Sequence, residues 1–129
     1  MAYINDWRVK GIYRVFIGEV SGDEIVEAVL EIEGDQRFDD LDYIINDFRQ
    51  VDKYEVSERD IKTIVKIDKH AVKINSKIRI AIVATHEPIH EWAKLYCNKM
   101  HDSPYDCEVF NSMEKAEKWA LSSSSQGAC

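Results

Sequence analysis

Residues 107–121 read CEVFNSMEKAEKWAL, and this stretch indicates the fold more clearly than any other part of the chain. The residues from Cys107 to Phe110 predict a short strand, because β-branched and aromatic side chains favour extended backbone. A cap at Asn111 or Ser112 then predicts a short amphipathic helix that ends at Leu121. A strand followed directly by a helix is typical of α/β proteins, so we expect the same alternation upstream.

Cap and periodicity signals upstream of residue 107 predict this alternation. Ser21 lies three residues before Glu24, which is the signature of a capping box, and Ser57 lies three residues before Asp60. Pro88 suits the first turn of a further helix. The predicted elements are, in chain order, a hairpin within Trp7–Val20 that turns at Lys10-Gly11, a helix from Ser21 to Gly34, a strand over Leu41–Asn46, a helix from Ser57, a strand over Ile78–Ala84 and a helix from Pro88.

These elements predict an α/β protein with a mixed, mostly parallel sheet of about five strands. The N-terminal hairpin contributes the antiparallel pair, and the helices flank the sheet. Residues 1–121 are expected to form a single domain, since no internal repeat or second core is evident. The remaining residues, 122–129, read SSSSQGAC and predict a disordered tail.

Composition excludes several functional classes. The chain has 129 residues and a formal net charge of −7, without a cluster of basic residues, which argues against nucleic acid as a partner. The N-terminus lacks the apolar segment of a signal peptide, and no apolar run approaches the ~20 residues that span a bilayer. Three widely spaced cysteines fit a reducing compartment better than a disulfide framework. We therefore expect a cytoplasmic protein that is not an integral membrane protein.

The sharpest short motif is HEPIH at residues 86–90, which matches the H-E-x-x-H of zinc proteases. That chemistry needs both histidines on one helix, with the glutamate as the base. Here the motif directly follows an apolar strand, so His86 is expected in a loop, and Pro88 is expected in the first helical turn. No third ligand is evident either. We therefore predict no catalytic residues, no metal and no cofactor.

A second candidate site follows from the rule that the carboxyl ends of strands line the ligand crevice of an open α/β sheet. Asp47 and Arg49 follow one predicted strand, and Thr85 and His86 follow another, so these four residues are expected to share one rim. Ser57, which caps the next helix, completes the candidate rim for a ligand or partner. A working rim requires both Asp47 and Arg49 to be at least partly exposed. Alternatively, Asp47 and Arg49 only cap a loop or pair with each other.

The chain resembles the SpoIIAA-like family, whose fold is related to the STAS and CRAL-TRIO-like folds. The resemblance covers roughly Trp7 to Leu121 and is carried by residues 18–24 (GEVSGDE), residues 43–47 (YIIND) and residues 108–110 (EVF) with Ala116 and Trp119. It implies a mixed sheet flanked by helices and a non-enzymatic regulatory or ligand-binding role.

The chain departs from this family at one place that matters for function. STAS regulators of sigma factors carry a phosphorylatable serine just after the strand-end aspartate, whereas Phe48 and Arg49 follow Asp47 here. The nearest downstream serine, Ser57, is assigned to helix capping. The resemblance therefore does not carry a phosphorylation switch over to this chain.

Three functional hypotheses remain. The first is a non-catalytic regulatory or protein-interaction module of the SpoIIAA-like type. The second is a binder of a small apolar or amphipathic ligand, which the CRAL-TRIO-like kinship and the apolar helix stripes favour. The remote third is a zinc hydrolase that uses His86 and His90. The partner is thus a protein or a small ligand, and a homodimer stays open.

Overall fold

The computed structural model describes residues 3–122 of the chain. Five strands and four helices follow one another, with a 3₁₀ helix at Gln36–Asp40. The elements are β1 (Tyr3–Trp7), β2 (Gly11–Ser21), α1 (Gly22–Glu33), β3 (Tyr43–Glu55), α2 (Glu58–Ala71), β4 (Arg79–Val83), α3 (Glu87–Lys99), β5 (Asp106–Phe110) and α4 (Met113–Leu121). Of the predicted tail, residues 123–129 lie outside the described part of the chain.

The five strands form one sheet in the order β1-β2-β3-β4-β5. The β1 and β2 strands pair antiparallel, and every later pair is parallel. The predicted mixed sheet with an N-terminal hairpin is therefore confirmed. The hairpin begins earlier than expected, because β1 starts at Tyr3, whose buried ring packs against Phe16.

The helices are divided unequally between the two faces of the sheet. The strand order advances in one direction, so successive crossovers of the usual right-handed sense place their helices on the same face. Accordingly, α1, α2 and α3 share the larger core with one face of the sheet. The other face packs against α4 through a smaller cluster that includes Ala116 and Ala120. We call these the three-helix face and the α4 face.

Side-chain caps define the starts of three helices, as their sequences predict. Ser21 with Glu24, and Ser57 with Asp60, form complete capping boxes at α1 and α2. At α4 the hydroxyl of Ser112 accepts a hydrogen bond from the backbone N–H of Lys115. Each of these contacts pairs a backbone N–H that the first helical turn leaves without an intrahelical partner.

The prediction that a strand ends at Asn46 is wrong, because β3 continues to Glu55. Two irregularities in the β2–β3 register, between Val15 and Ile17 and between Gly18 and Glu19, insert extra residues into β3. The core-facing residues Phe48, Val51 and Tyr54 are therefore spaced by three rather than by two. Strict alternation is lost, and with it the usual sequence signal of a strand.

The structure pairs two cysteines that the sequence left unpaired. The sulfur atoms of Cys97 on α3 and Cys107 on β5 are in disulfide contact, with their Cα atoms 5.3 Å apart. The interpretation that the cysteine pattern disfavours disulfides is thus overturned for this pair. Among the described residues, no helix is both long and apolar enough to cross a membrane.

Candidate functional site

Asp47 and Arg49 form a tight pair in the middle of β3. Asp47 lies in register with Val15 on β2 and Val83 on β4, and its side chain is only about 4% exposed. Its carboxylate accepts three hydrogen bonds from Arg49: from the backbone N–H at 3.0 Å, from Nε at 2.9 Å and from Nη2 at 2.8 Å. Both carboxylate oxygens are thus engaged, and a bidentate arginine contact is among the stronger ion pairs.

The pair presents only one of its two charged groups to solvent. The side chain of Arg49 is 43% exposed, and the hydrogen bond to Asp47 raises the pKa of its guanidinium. A working rim requires both side chains to be accessible, and Arg49 alone meets this condition. The exposed part of the pair is therefore the guanidinium of Arg49, held by the buried carboxylate of Asp47.

Thr85 and His86 lie just beyond the last residue of β4 that pairs with β3. That residue is Val83, opposite Asp47. The exposed side chains of Thr85 and His86 therefore lie at the end of the β3–β4 pair that also holds Asp47. His86 precedes α3 with extended backbone (φ −91°, ψ 135°), and its side chain makes no capping hydrogen bond. The predicted loop position of His86 is therefore confirmed.

His86 thus lies outside the helix that carries His90, unlike the arrangement that the zinc-protease motif needs. Within residues 3–122, no group of three His, Cys, Asp or Glu side chains is arranged to hold a metal ion.

Ser57 does not join this group. It follows the true end of β3, eight residues of strand beyond Asp47, and its backbone N–H and hydroxyl are both engaged with Asp60. The N-terminus of α1 is adjacent, since a Cβ added at Gly22 would lie 2.1 Å from a carboxylate oxygen of Asp60. The candidate rim is therefore split, with Ser57 at the N-terminus of α2 and the other four residues near the end of β4.

A buried polar cluster on the three-helix face was not predicted from the sequence. Arg14 on β2 is almost fully buried, and it donates from Nε to Oδ1 of Asn46 at 2.9 Å and from Nη1 to the carbonyl oxygen of Ala28 at 2.7 Å. Burial lowers the pKa of the Arg14 guanidinium to about 10, because the charged form loses its hydration.

Two carboxyl groups and a tyrosine complete this cluster. Asp68 on α2 accepts a short hydrogen bond from the hydroxyl of Tyr96 and is hydrogen-bonded to the carboxyl group of Glu33. Burial raises the pKa of Asp68, and burial together with the hydrogen bond to Asp68 raises the pKa of Glu33 to about 9. These two raised pKa values favour a proton held between the two carboxyl groups, beside the guanidinium of Arg14.

The sequence did contain a signal for this cluster. Arg14 alternates with Ile12 and Phe16 on the buried side of β2, and Asp68 occupies a position of the apolar stripe of α2, four residues after Ile64. A charged residue at a core position is costly unless it is paired, so each of the two predicts a buried partner.

A small cavity adjoins the cluster. It has a volume of about 60 Å³ and lies between the sheet and the three helices. Its walls are mostly apolar and include Phe16, Phe48, Ile61 and Trp92, with Arg14 among the polar residues. For comparison, an engineered apolar cavity of about 150 Å³ admits benzene, so this space holds only a very small molecule as it stands.

Comparisons with known proteins agree with this architecture. The chain is similar to the solved structure of the anti-sigma factor antagonist SpoIIAA in its unphosphorylated form, with a TM-score of 0.62 and 8% identity over 93% of this chain and 97% of that one. It is also similar to a protein of the DUF3478 family with a SpoIIAA-like fold from Shewanella loihica PV-4, with a TM-score of 0.56 and 13% identity over 92% of each chain. No family model and no curated protein matches the sequence. The fold is therefore SpoIIAA-like, of the STAS type, as the sequence resemblance implies.

Proposed function

We propose that this chain is a non-catalytic regulatory module that acts by binding a protein partner. The observation that carries the proposal is the SpoIIAA-like fold over almost the whole chain, since one solved protein with this fold is named as an anti-sigma factor antagonist. The engagement of Asp47 by Arg49 is consistent with a non-catalytic role, because both carboxylate oxygens already accept hydrogen bonds from Arg49. We also propose a cytoplasmic location, where the Cys97–Cys107 pair would be kept largely reduced.

The proposed contact region includes Arg49, Thr85 and His86. All three side chains are exposed where β4 separates from β3, and none of them belongs to the core. Thr85 and His86 can change without loss of the fold, as a binding region requires, whereas Arg49 also anchors the buried Asp47.

The test uses two histidines at opposite ends of α3. His86 lies before the helix and His101 lies after it, and both are exposed. The full-length chain with a purification tag is expressed in its native cells, cross-linked and recovered with its partners, which are identified by mass spectrometry. We expect one protein partner in stoichiometric amount. His86→Asp should reduce the recovered amount of this partner at least tenfold, and His101→Asp should leave it unchanged. The proposal fails if no such partner is recovered or if both variants retain it equally.

The cavity beside Arg14 favours a second candidate function, the binding of a small apolar or amphipathic ligand. The apolar walls would receive the hydrocarbon part, and Arg14 and Asn46 would contact a polar group. A ligand larger than a few heavy atoms requires α1, α2 and α3 to move apart, because the space measures only about 60 Å³. Native mass spectrometry of protein purified from its own cells tests this: a retained small molecule supports the binder, and a bare chain contradicts it.

A further inference from the structure

The α4 face of the sheet is covered over only part of its width. The apolar cluster on this face contains Tyr43 and Ile45 of β3 and Ala81 and Val83 of β4, so α4 lies over these strands. Within residues 3–122, no other helix packs on this face. The part formed by β1 and the second half of β2 therefore has no helix above it in the described chain.

Three apolar side chains form the floor of this uncovered area, which we call the open face. Ile4 on β1 lies directly opposite Val15 on β2. Ile17 follows Val15 by two residues, and strand alternation places it on the same side of β2. Ile4 is 58% exposed, Ile17 is 40% exposed and Val15 is half-buried. Neighbouring side chains on one face of a strand pair contact one another, so the three form a continuous patch.

The dimensions of the open face fit one helix. Strands lie about 4.8 Å apart, so β1 and β2 with the adjoining edge of β3 provide a strip about 10 Å wide. An α-helix with its side chains has a diameter of about 10 Å. A helix placed here would lie beside α4, which would be its neighbour on the same face.

The charges around the open face are predominantly negative. Glu117 on α4 accepts a hydrogen bond from Tyr13 of β2, so this side of α4 faces the open face. Glu114 lies on the same side of α4, since residues three apart on a helix are neighbours. Beyond the far end of the patch lies the exposed Glu19 on β2. Neither Glu19 nor Glu114 is ion-paired within residues 3–122.

The nearby cations do not cancel this charge. Arg8 is already paired with Asp6 and Arg49 with Asp47, and Lys53, in register with Glu19, is paired with Glu55. A second copy of this chain would bring a further net charge of −7, and an anionic membrane surface would be repelled as well. Electrostatic complementarity therefore requires a cationic partner.

We propose that the open face binds an amphipathic helix of a partner protein, with its apolar stripe on Ile4, Val15 and Ile17 and with lysines or arginines facing Glu19, Glu114 and Glu117. This inference rests on the proposed function and adds a second contact to the region of Arg49, Thr85 and His86, namely a helix of the same partner seated on β1 and β2. Helix-in-groove recognition commonly uses apolar anchors at i, i+3 or i+4, and i+7.

Two synthetic helical peptides of about 14 residues, long enough to cross the patch, test the proposal. Both carry the same leucine stripe, and their flanking positions hold lysine in one peptide and glutamate in the other. Binding is measured by calorimetry and by amide chemical shifts of the full chain. We expect saturable binding of the lysine peptide with shifts centred on Ile4, Val15 and Ile17, weakening at higher salt, and at least tenfold weaker binding of the glutamate peptide.

Variants of the chain locate the site. Ile17→Lys should weaken the binding of the lysine peptide at least tenfold. Ile4→Lys is a second variant, for use if Ile17→Lys does not fold. Ile74→Lys is the matched control, because Ile74 is also a large exposed apolar residue (55%) but follows α2 on the other side of the sheet. Its affinity should stay within twofold of the parent chain.

Three results of the peptide experiment would overturn the proposal: no saturable binding of the lysine peptide, equal binding of both peptides, or unchanged binding of the lysine peptide by Ile17→Lys and Ile4→Lys. Binding to phosphatidylcholine–phosphatidylglycerol vesicles that Ile17→Lys abolishes would assign the face to a membrane, and a dimer that Ile17→Lys dissociates would assign it to a second copy. If cellular capture recovers a partner that Ile17→Lys still retains, this inference fails and the proposed function stands; if capture recovers no partner, the proposed function fails.

Discussion

The buried hydroxyl of Tyr96 offers the sharpest test of the polar cluster under the three helices. The substitution Tyr96→Phe keeps the ring and removes only the group that donates to Asp68. Both residues are buried, so water has little access to replace the lost donor. The change therefore leaves a buried carboxyl group with one hydrogen bond fewer.

Tyr105→Phe is the matched control. The hydroxyl of Tyr105 is also buried, but it donates to a neutral acceptor, the backbone carbonyl oxygen of Asn75, at 2.5 Å. A hydrogen bond to a charged group contributes about 1.5–3 kcal/mol to stability, and one to a neutral group contributes about 0.5–1.5 kcal/mol. We therefore expect Tyr96→Phe to cost about 1 kcal/mol more than Tyr105→Phe.

Equilibrium unfolding in urea at pH 7, followed by tryptophan fluorescence and by circular dichroism, measures both costs. Coincident transitions and an unchanged dependence on urea concentration would show that the free energies are comparable. If Tyr96→Phe costs no more than Tyr105→Phe, Asp68 carries no net charge that the hydroxyl stabilises, and the assignment of a shared proton to this cluster is wrong.

Three further predictions concern the protonated carboxyl, the ion pair and the cysteines. The pKa of the Glu33 carboxyl group is about 9 in the folded chain, against about 4.5 ordinarily. The contribution of this group to the free energy of unfolding is therefore complete below pH 4.5 and is lost as the pH rises to 9. Glu33→Gln should make the free energy of unfolding decline less steeply over that pH range. Arg49→Ala should lower the free energy of unfolding in urea by about 2–3 kcal/mol, and Asp47→Ala by about 1–2 kcal/mol. Arg49→Ala leaves a buried carboxylate without its cation, whereas Asp47→Ala leaves only a half-exposed guanidinium. Equal costs would contradict this reasoning. In non-reducing buffer, Cys97→Ser should cost about 3 kcal/mol in thermal unfolding by opening the ten-residue link to Cys107, and a reductant should abolish the difference from the parent chain.

The order of the elements could be predicted from the sequence because local signals agree with the global fold. The capping boxes at Ser21 and Ser57 and the cap at Ser112 lie where the helices begin. These signals depend on hydrogen bonds between residues only three apart, which a sequence displays directly. The fold class follows from their alternation with apolar runs.

The extent of β3 could not be predicted, because its periodicity is broken by two bulges. Phe48 and Val51 both face the three-helix core although they are three residues apart. The bulges arise from pairing with β2, a long-range feature that no local pattern reports. The error displaces the candidate site, because the predicted carboxyl end of this strand lies at Asn46 whereas β3 ends at Glu55.

The buried cluster was missed for a different reason. Arg14, Glu33 and Asp68 come from three separate elements, and each one alone resembles a surface charge in an otherwise apolar pattern. Only the packing of α1 and α2 on β2 and its neighbours brings the three together. Their positions in apolar stripes were visible in the sequence, whereas their pairing was not.

The corrected end of β3 also changes the comparison with phosphorylated STAS regulators. The residue after Asp47 is Phe48, whose buried ring stacks on Phe16 at 4.6 Å, so no modifying enzyme reaches that position in the folded chain. The residues that follow the true strand end include Ser57, which is exposed at the N-terminus of α2. A phosphate on Ser57 would add a charge of about −1.5 to −2 beside the partial positive charge of the helix N-terminus. It would also lie beside the carboxylate of Asp60, which accepts a hydrogen bond from the Ser57 backbone N–H and closes the capping box. Such a modification would act on this capping box, next to the start of α1.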